Sequence, residues 1–275
     1  MPSMTWLWKR ASSARSGTGD TRLVYSAQDQ SVECEPLPEA IRPTSLYPDD
    51  EIAAVPQDVQ QASLGCGNPL AIAGLRPGEV VLDLGSGGGM DVFLAAGKVG
   101  PEGKAYGLDA AADMIALATA NAARLGFANS EFLHGRMEAI PLPDSSVDAV
   151  ISNCVISMAP DKAPVLSEAY RVLRPGGRLA VTDIVTRQPV PAVLKSSLKL
   201  WALCVAGALS EGEYRRHLAG AGFVEVELVR DREYTVEDAE LLGLSPLVRR
   251  FGADLARRIG WASARISALK PLAAG

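Results

Sequence analysis

Histidine is nearly missing from this 275-residue chain: His134 and His217 are the only two, which leaves little for imidazole acid–base chemistry or histidine-rich metal centres to use. Cysteine is scarce as well. The four, Cys34, Cys66, Cys154 and Cys204, are too few and too widely spaced for the disulfide framework of a small secreted domain, so they are expected as thiols in a reducing cytoplasm. There is no long block of lysine or arginine and the formal net charge is −5, which argues against a nucleic-acid footprint. Apolar runs such as Leu198 to Leu209 are too short and too interrupted to span a bilayer. What the chain does have is 48% hydrophobic residues, enough for the core of one large domain with appendages. The expectation is a cytoplasmic monomer acting on small molecules, with no nucleic-acid or membrane partner.

Met1 to Gly19 carry Lys9, Arg10 and Arg15 with several serines and no acid, a composition shared by transit peptides and disordered tails. The absence of a clear amphipathic period favours the tail. Residues 20 to 60 hold several prolines and acids and read as an extended lead-in, ending in a short helix near Pro56 to Ala62. Residues 1–60 are therefore expected as a flexible arm carrying Cys34, 61–190 as the core, and 191–275 as a substrate-side helix with strands that complete a sheet.

The chain is organised around Val80 to Asp91, where the apolar run Val80-Val81-Leu82-Asp83-Leu84 breaks into Gly85-Ser86-Gly87-Gly88-Gly89 and resumes as an apolar helix. This reads as strand, tight turn, helix. Glycines at the carboxyl end of a buried strand permit a sharp turn and close approach of backbone to a ligand. The dinucleotide fingerprint would need glycine where Met90 stands, and a P-loop would need a following Gly-Lys-Ser/Thr. The spacing Asp83-x-Gly85-x-Gly87-x-Gly89 instead resembles the first motif of S-adenosylmethionine (SAM)-dependent methyltransferases, with Gly85, Ser86, Gly87 and Gly89 admitting the amino-acid moiety and ribose and Asp83 near the ammonium group.

A second strand, Ala105 to Asp109, ends in an acid suited to the two ribose hydroxyls, and a helix from Ala112 to Leu125 follows. Met114 on that helix is a candidate flank for adenine. A third strand, Ser130 to Gly135, leads into the loop of Met137 and Glu138, and a fourth, Val147 to Ser152, delivers Asn153 and Cys154 to the sheet edge. Asp161 to Leu173 reads as a helix, Arg178 to Val185 as strand five, and Pro191 to Leu209 as one long apolar helix over the pocket. The alternation of strand and helix predicts a doubly wound parallel α/β sheet.

Three cysteine contexts narrow the reading: Leu64-Gly65-Cys66-Gly67-Asn68-Pro69, Ser152-Asn153-Cys154-Val155 and Cys204-Val205-Ala206-Gly207-Ala208. Together with the glycine loop they resemble the SAM-dependent arsenite methyltransferases over roughly residues 60 to 230. The resemblance implies a Rossmann-like class I methyltransferase with a seven-stranded, mostly parallel sheet and a C-terminal α/β extension. It implies that Asp83, Gly85, Ser86, Gly87, Gly89, Asp109, Met114, Met137, Glu138 and Asn153 bind SAM, and that Cys66, Cys154 and Cys204 bind As(III). It also implies that Cys34 pairs with the loop cysteine as a disulfide during turnover, which a thiol reductant of the glutathione or thioredoxin type would reset.

Trivalent arsenic fits such thiols because it is soft and keeps a lone pair for nucleophilic attack, so catalysis is mostly positioning. Two other readings stay open. One is a C- or O-methyltransferase of a quinone-like small molecule, for which the cysteines are dispensable. The other is a non-catalytic thiol protein that sequesters As(III), which leaves the glycine loop and Asp109 unexplained.

Overall fold

In the computed structural model the described residues are 7–11, 22–27, 30–34, 46–61, 63, 65–197, 200–201, 203–241 and 252–273, with the first three strands described by backbone alone. Strands β1 (Leu7–Ala11), β2 (Arg22–Ala27) and β3 (Gln30–Cys34) pair as a small antiparallel sheet within the stretch expected to be an extended lead-in. Cys34 closes β3 opposite Leu23, and its side chain lies outside the described residues. Short helices α1 (Asp49–Ile52), α2 (Gln57–Gln61) and α3 (Leu70–Ala73) lead to the main sheet.

That sheet is built from β4 (Val80–Leu84), α4 (Met90–Val99), β5 (Lys104–Asp109), α5 (Ala112–Leu125), β6 (Ser130–His134), β7 (Val147–Asn153), α6 (Lys162–Val172) and β8 (Leu173–Thr186). After α7 (Ala192–Lys195) come β9 (Leu209–Ser210), α8 (Glu211–Ala221), β10 (Val224–Glu233), α9 (Val236–Leu241), α10 (Ala253–Ile259) and β11 (Ala262–Leu269). The strand order is β10-β11-β8-β7-β4-β5-β6, with the two-residue β9 alongside β8. Strands β4 to β9 pair in parallel, while β11 runs antiparallel between β8 and β10. The expected seven-stranded, mostly parallel α/β sheet is the main path of this arrangement.

Alternate residues of the central strands feed opposite faces. Leu82, Leu84 and Val150 pack with Leu166, Leu218 and Tyr214, whereas Val81 and Ile151 pack with Phe93, Val99 and Val59. Burial on both faces explains why β4 and β7 read as continuous apolar runs. The chain goes outward from β4 through β5 to β6 and then returns to β7 on the other side, so strand order reverses between β4 and β7. A crevice opens beyond the carboxyl ends of strands at such a point. The Gly85 loop and Asn153-Cys154 both project into it, with Leu84 paired to Ser152 just before.

Two expectations need correction. Strand β8 begins at Leu173, earlier than Arg178, because the Arg174-Pro175-Gly176-Gly177 segment is accommodated as a bulge: Val147 pairs with Leu173 and Ala149 already with Arg178. The run Pro191 to Leu209 is not one helix. Among the described residues of this run, Ala192–Lys195 and a turn at Leu200–Trp201 are helical, after which Val205 and Ala206 both donate to Leu200 O and Cys204 takes a left-handed φ of 58°. The apolar residues there bury against other elements and owe nothing to helical periodicity. Trp201, Cys204 and Leu200 join Cys154, Met158, Ile184 and Ile259 in a third apolar cluster at the sheet edge.

Candidate functional site

The loop after β4 turns through three left-handed glycines, Gly85 at φ 75°, Gly87 at 50° and Gly89 at 94°. Gly89 is also the N-cap of α4, and a Cβ there would strike Phe93 and Phe132. Asp83 is buried, and neither its Oδ1 nor the buried Ser86 Oγ has a hydrogen-bond partner. Asp109, at the end of β5, accepts from the Gly87 N–H at 2.9 Å and the Ala111 N–H at 2.8 Å. Asp91 accepts the Tyr47 hydroxyl at 2.5 Å.

Three buried carboxyls therefore surround one glycine loop. Burial pushes each above the ordinary carboxylate range; for Asp83 the nearby Asp91 and Asp109 add to it, and Asp91 is raised to about 6. A cationic ligand is what such a site lacks. SAM, carrying an ammonium and a sulfonium, fits on the orphaned Asp83 oxygen and on the open space a Cβ at Gly87 would enter.

The sign of the pH effect follows. Carboxyls raised in the fold stabilise it most below about 4, their unfolded pKa, and that contribution is lost as pH rises through the folded value near 6 for Asp91. Saturating SAM is expected to raise the melting temperature more at about pH 7.5 than at about pH 5, since it binds the ionised form. Equal shifts at both pH values in a thermal melt would remove the charge argument.

The same cavity is lined by Asp83, Gly85, Ser86, Gly87 and Asp109 on one side, and by Met114, Met137 and Glu138 on another. Met114 is buried, and Glu138 holds an ion pair with Arg136 at 3.0 Å. Asn153, Cys154 and Cys204 complete the wall. Gly89 and Cys66 do not line it, although Gly65, next to Cys66, does.

Asn153 ties the two halves together. Its Oδ1 accepts from Cys66 N at 2.9 Å and from Thr182 Oγ1 at 2.9 Å, while Nδ2 lies 2.8 Å from Gly67 O, 3.0 Å from Tyr47 Oη and 3.2 Å from Asp91 Oδ2. Gly65 and Gly67 allow this approach: a Cβ on Gly65 would collide with the Asn153 amide, and one on Gly67 would come within 2.7 Å of Thr182.

Around the thiols the backbone is strained. Cys154 has a φ of 62° and donates its N–H to Thr182 O at 2.7 Å; Cys204, also left-handed, donates Sγ–H to Cys154 O at 3.0 Å. Non-glycine residues in this region cost about 1 to 3 kcal/mol and cluster at functional sites. Cys154 and Cys204 share one apolar cluster, and Cys66 packs against it. Burial pushes the Cys66 and Cys154 thiols up, and for Cys204 the contact with Cys154 is the larger cause, ahead of burial. All three are therefore neutral thiols near neutral pH. Among the described residues no group of three His, Cys, Asp or Glu side chains is already spaced as a closed metal cage.

Four residues here had no flag in the sequence. Tyr47 comes from the lead-in and Asp91 from the first turn of α4; only the fold brings them onto Asn153. Asp183, fully buried on β8, accepts the Ser157 N–H at 3.0 Å and the Ile184 N–H at 2.9 Å. Lys162, at the start of α6, is buried, donates to Ala159 O at 2.7 Å and stands 5.2 Å over the Trp201 ring. Burial raises Asp183 to about 6 and lowers Lys162 to about 8, so both are charged at neutral pH. His134 does not line the cavity, but its ring lies 3.1 Å from the carbonyl of Ala110, which does.

A family model described as a methyltransferase domain matches residues 75–222. An arsenite methyltransferase of Halobacterium salinarum is 45% identical over 189 residues, which cover 69% of this chain and 48% of that protein. Another, from Aquipseudomonas alcaligenes, is 38% identical over 197 residues, covering 69% and 56%. The chain thus spans about half the length of these curated relatives. Among solved structures, an arsenic (III) S-adenosylmethionine methyltransferase from Chlamydomonas reinhardtii superposes with a TM-score of 0.68 at 33% identity, covering 87% of this chain and 75% of that one. With the glycine loop, the sheet order and these matches in agreement, the chain belongs to the arsenite S-adenosylmethionine methyltransferase family of class I methyltransferases.

Proposed function

We propose that the protein methylates trivalent arsenic, as arsenite or methylarsenite, held by Cys66, Cys154 and Cys204, for detoxification. The observation that carries this reading is that Cys154 and Cys204 line the same cavity as Asp83 and the glycine loop. SAM supplies the electrophilic methyl group when bound. Asp83, Asp91 and Asp109 hold its positive charge, and Gly85 and Gly87 give it room; Met114, Met137 and Glu138 stand where adenine would lie.

On the substrate side, buried neutral thiols suit a neutral arsenous acid. Each S–H proton leaves with a hydroxide as water, so no net charge has to be buried. The three sulfurs do not form a closed cage beforehand, so arsenic draws Cys66 onto Cys154 and Cys204, with Asn153 as the fixed anchor of that loop. The arsenic lone pair is then directed across the cavity at the donor, which is catalysis by positioning. Methyl transfer leaves arsenic pentavalent; its return to the trivalent state would take two electrons from two of the thiolates, which leave as a disulfide, and an external thiol reductant, with Cys34, would return that disulfide to thiols.

Incubating the full chain with SAM, arsenite and glutathione, followed by chromatographic arsenic speciation, tests the reading. Methylated arsenic and S-adenosylhomocysteine are expected together. Arsenite binding without S-adenosylhomocysteine would favour the sequestering protein, and methylation of a quinone-like acceptor alone would favour the organic methyltransferase.

A further inference from the structure

A carboxylate is an odd neighbour for a thiol site. Cysteines that must ionise are found beside cations or helix N-termini, which lower their pKa. Here Asp183 acts in the opposite sense: behind burial and the influence of the thiols on one another, it adds to the rise of Cys66, Cys154 and Cys204. It is not an incidental surface acid. It is completely buried, and both its oxygens are fixed by backbone N–H groups, Oδ2 by Ser157 and Oδ1 by Ile184.

Those contacts tie it to the two pocket cysteines. Ser157 follows Cys154 in the same loop, and the Ser157 carbonyl packs so closely against Gly207 that no Cβ fits there. Gly207 lies three residues after Cys204. Asp183 also follows Thr182, whose carbonyl holds the Cys154 N–H. A rigid negative charge is therefore built into the backbone that carries both pocket cysteines, at a cost in burial that the thiols do not repay.

The chemistry of the transfer supplies a reason. In methyl transfer the arsenic lone pair forms the As–C bond, the C–S bond of the sulfonium breaks, and its electron pair stays on sulfur, giving a neutral thioether. The positive charge that sat beside the glycine loop ends on tetracoordinate arsenic bound to three sulfurs. No oxidant or reductant enters this step. In a water-excluded site, charge that develops at a fixed point is best met by a charge already in place.

We infer that Asp183 is the fixed counter-charge for the arsonium centre formed as methyl reaches arsenic, an inference that rests on the arsenic reading above. Lys162 opposes it. Its ammonium lies in the same field as Asp183 and Cys204 and is anchored on Ala159 O and over Trp201. It keeps the empty pocket closer to electrical balance and moderates the rate.

The test compares wild type, Asp183→Asn and Lys162→Met as full chains, loaded with arsenite and mixed with SAM for a single turnover read by rapid quench and arsenic speciation. Asp183→Asn removes the charge and keeps an acceptor for one of the two backbone N–H groups, leaving the other facing the amide NH2, a structural cost that the affinity titrations register. It is expected to slow transfer roughly 10- to 100-fold while arsenite and SAM affinities, read by equilibrium titration, stay within about threefold. Lys162→Met removes the opposing charge at nearly constant shape and is expected to speed transfer by about twofold or more.

A rate within about twofold of wild type for Asp183→Asn overturns the inference. So does a slowing matched by an equal loss of arsenite affinity, which would mark a packing role. If Asp183→Asn fails to fold, Lys162→Met decides alone: a rate equal to wild type or slower overturns the inference. A wild-type protein that makes no methylated arsenic at all removes the arsenic reading itself, a different and distinguishable result.

Discussion

A Cys154→Ser protein is expected to lose arsenic methylation by roughly 100-fold or more while keeping its SAM affinity within about threefold. Cys154 shares its apolar cluster with Cys204, Cys66 packs against that cluster, and the Cys154 backbone carbonyl accepts from Cys204 Sγ. A serine hydroxyl preserves size and tolerates the same left-handed backbone, so the fold should change by no more than about 1 kcal/mol. It does not preserve softness: an oxygen ligand holds arsenic in neither the affinity nor the geometry of a thiolate. The lone pair then loses its alignment with the donor. Arsenic speciation and SAM titration on the same preparation check both halves, and undiminished arsenic methylation would show that the thiols are bystanders.

Gly85→Ala is expected to cost about 2 to 5 kcal/mol of stability and at least roughly tenfold in SAM affinity. At φ 75° any Cβ is strained by about 1 to 2 kcal/mol, and this one would come within 2.5 Å of the Val155 methyl groups. Overpacking of that kind adds about 1 to 3 kcal/mol. Val155 follows Cys154, so the disturbance should reach the thiols as well as the donor pocket. Gly87→Ala is the companion measurement. Its Cβ meets nothing within 4 Å, which leaves only the backbone cost of about 1 to 2 kcal/mol. Urea titrations of the pair should separate them clearly, and equal destabilisation would show that the Val155 contact is unimportant.

The parts of the site that could be read from the sequence are those whose signal is local. A strand that breaks into glycines is visible without the fold, because backbone conformation at Gly85 and Gly89 restricts the residue type directly. So is the acid at the end of the next strand, Asp109, because a parallel sheet places strand ends together. The cysteines stand out because thiols are rare in this chain and their contexts are specific, and the fold brings Cys154 and Cys204 to the cavity lined by the glycine loop. Tyr47 and Asp91 were not, since each is unremarkable in its own segment and gains its role only when β7 carries Asn153 between them. Asp183 was hidden for a different reason: in an apolar strand it reads as a break in pattern, and only packing shows a buried carboxylate fixed to the loop that carries Cys154. The misread helix from Pro191 to Leu209 shows the limit of apolar content as a guide, for a turn can be as buried as a helix when other elements cover it.

Both pocket thiols stand on left-handed backbone, and this has a consequence for anyone who would engineer the protein. Glycine or asparagine at either position would relieve roughly 1 kcal/mol of conformational strain, so heat resistance and chemistry pull these two sites in opposite directions. A library selected for thermal survival alone would be rewarded for discarding sulfur there. Catalysts that last longer will have to gain their robustness elsewhere, in the outer helices or the antiparallel edge, with the proposed arsenic turnover as a second criterion of selection.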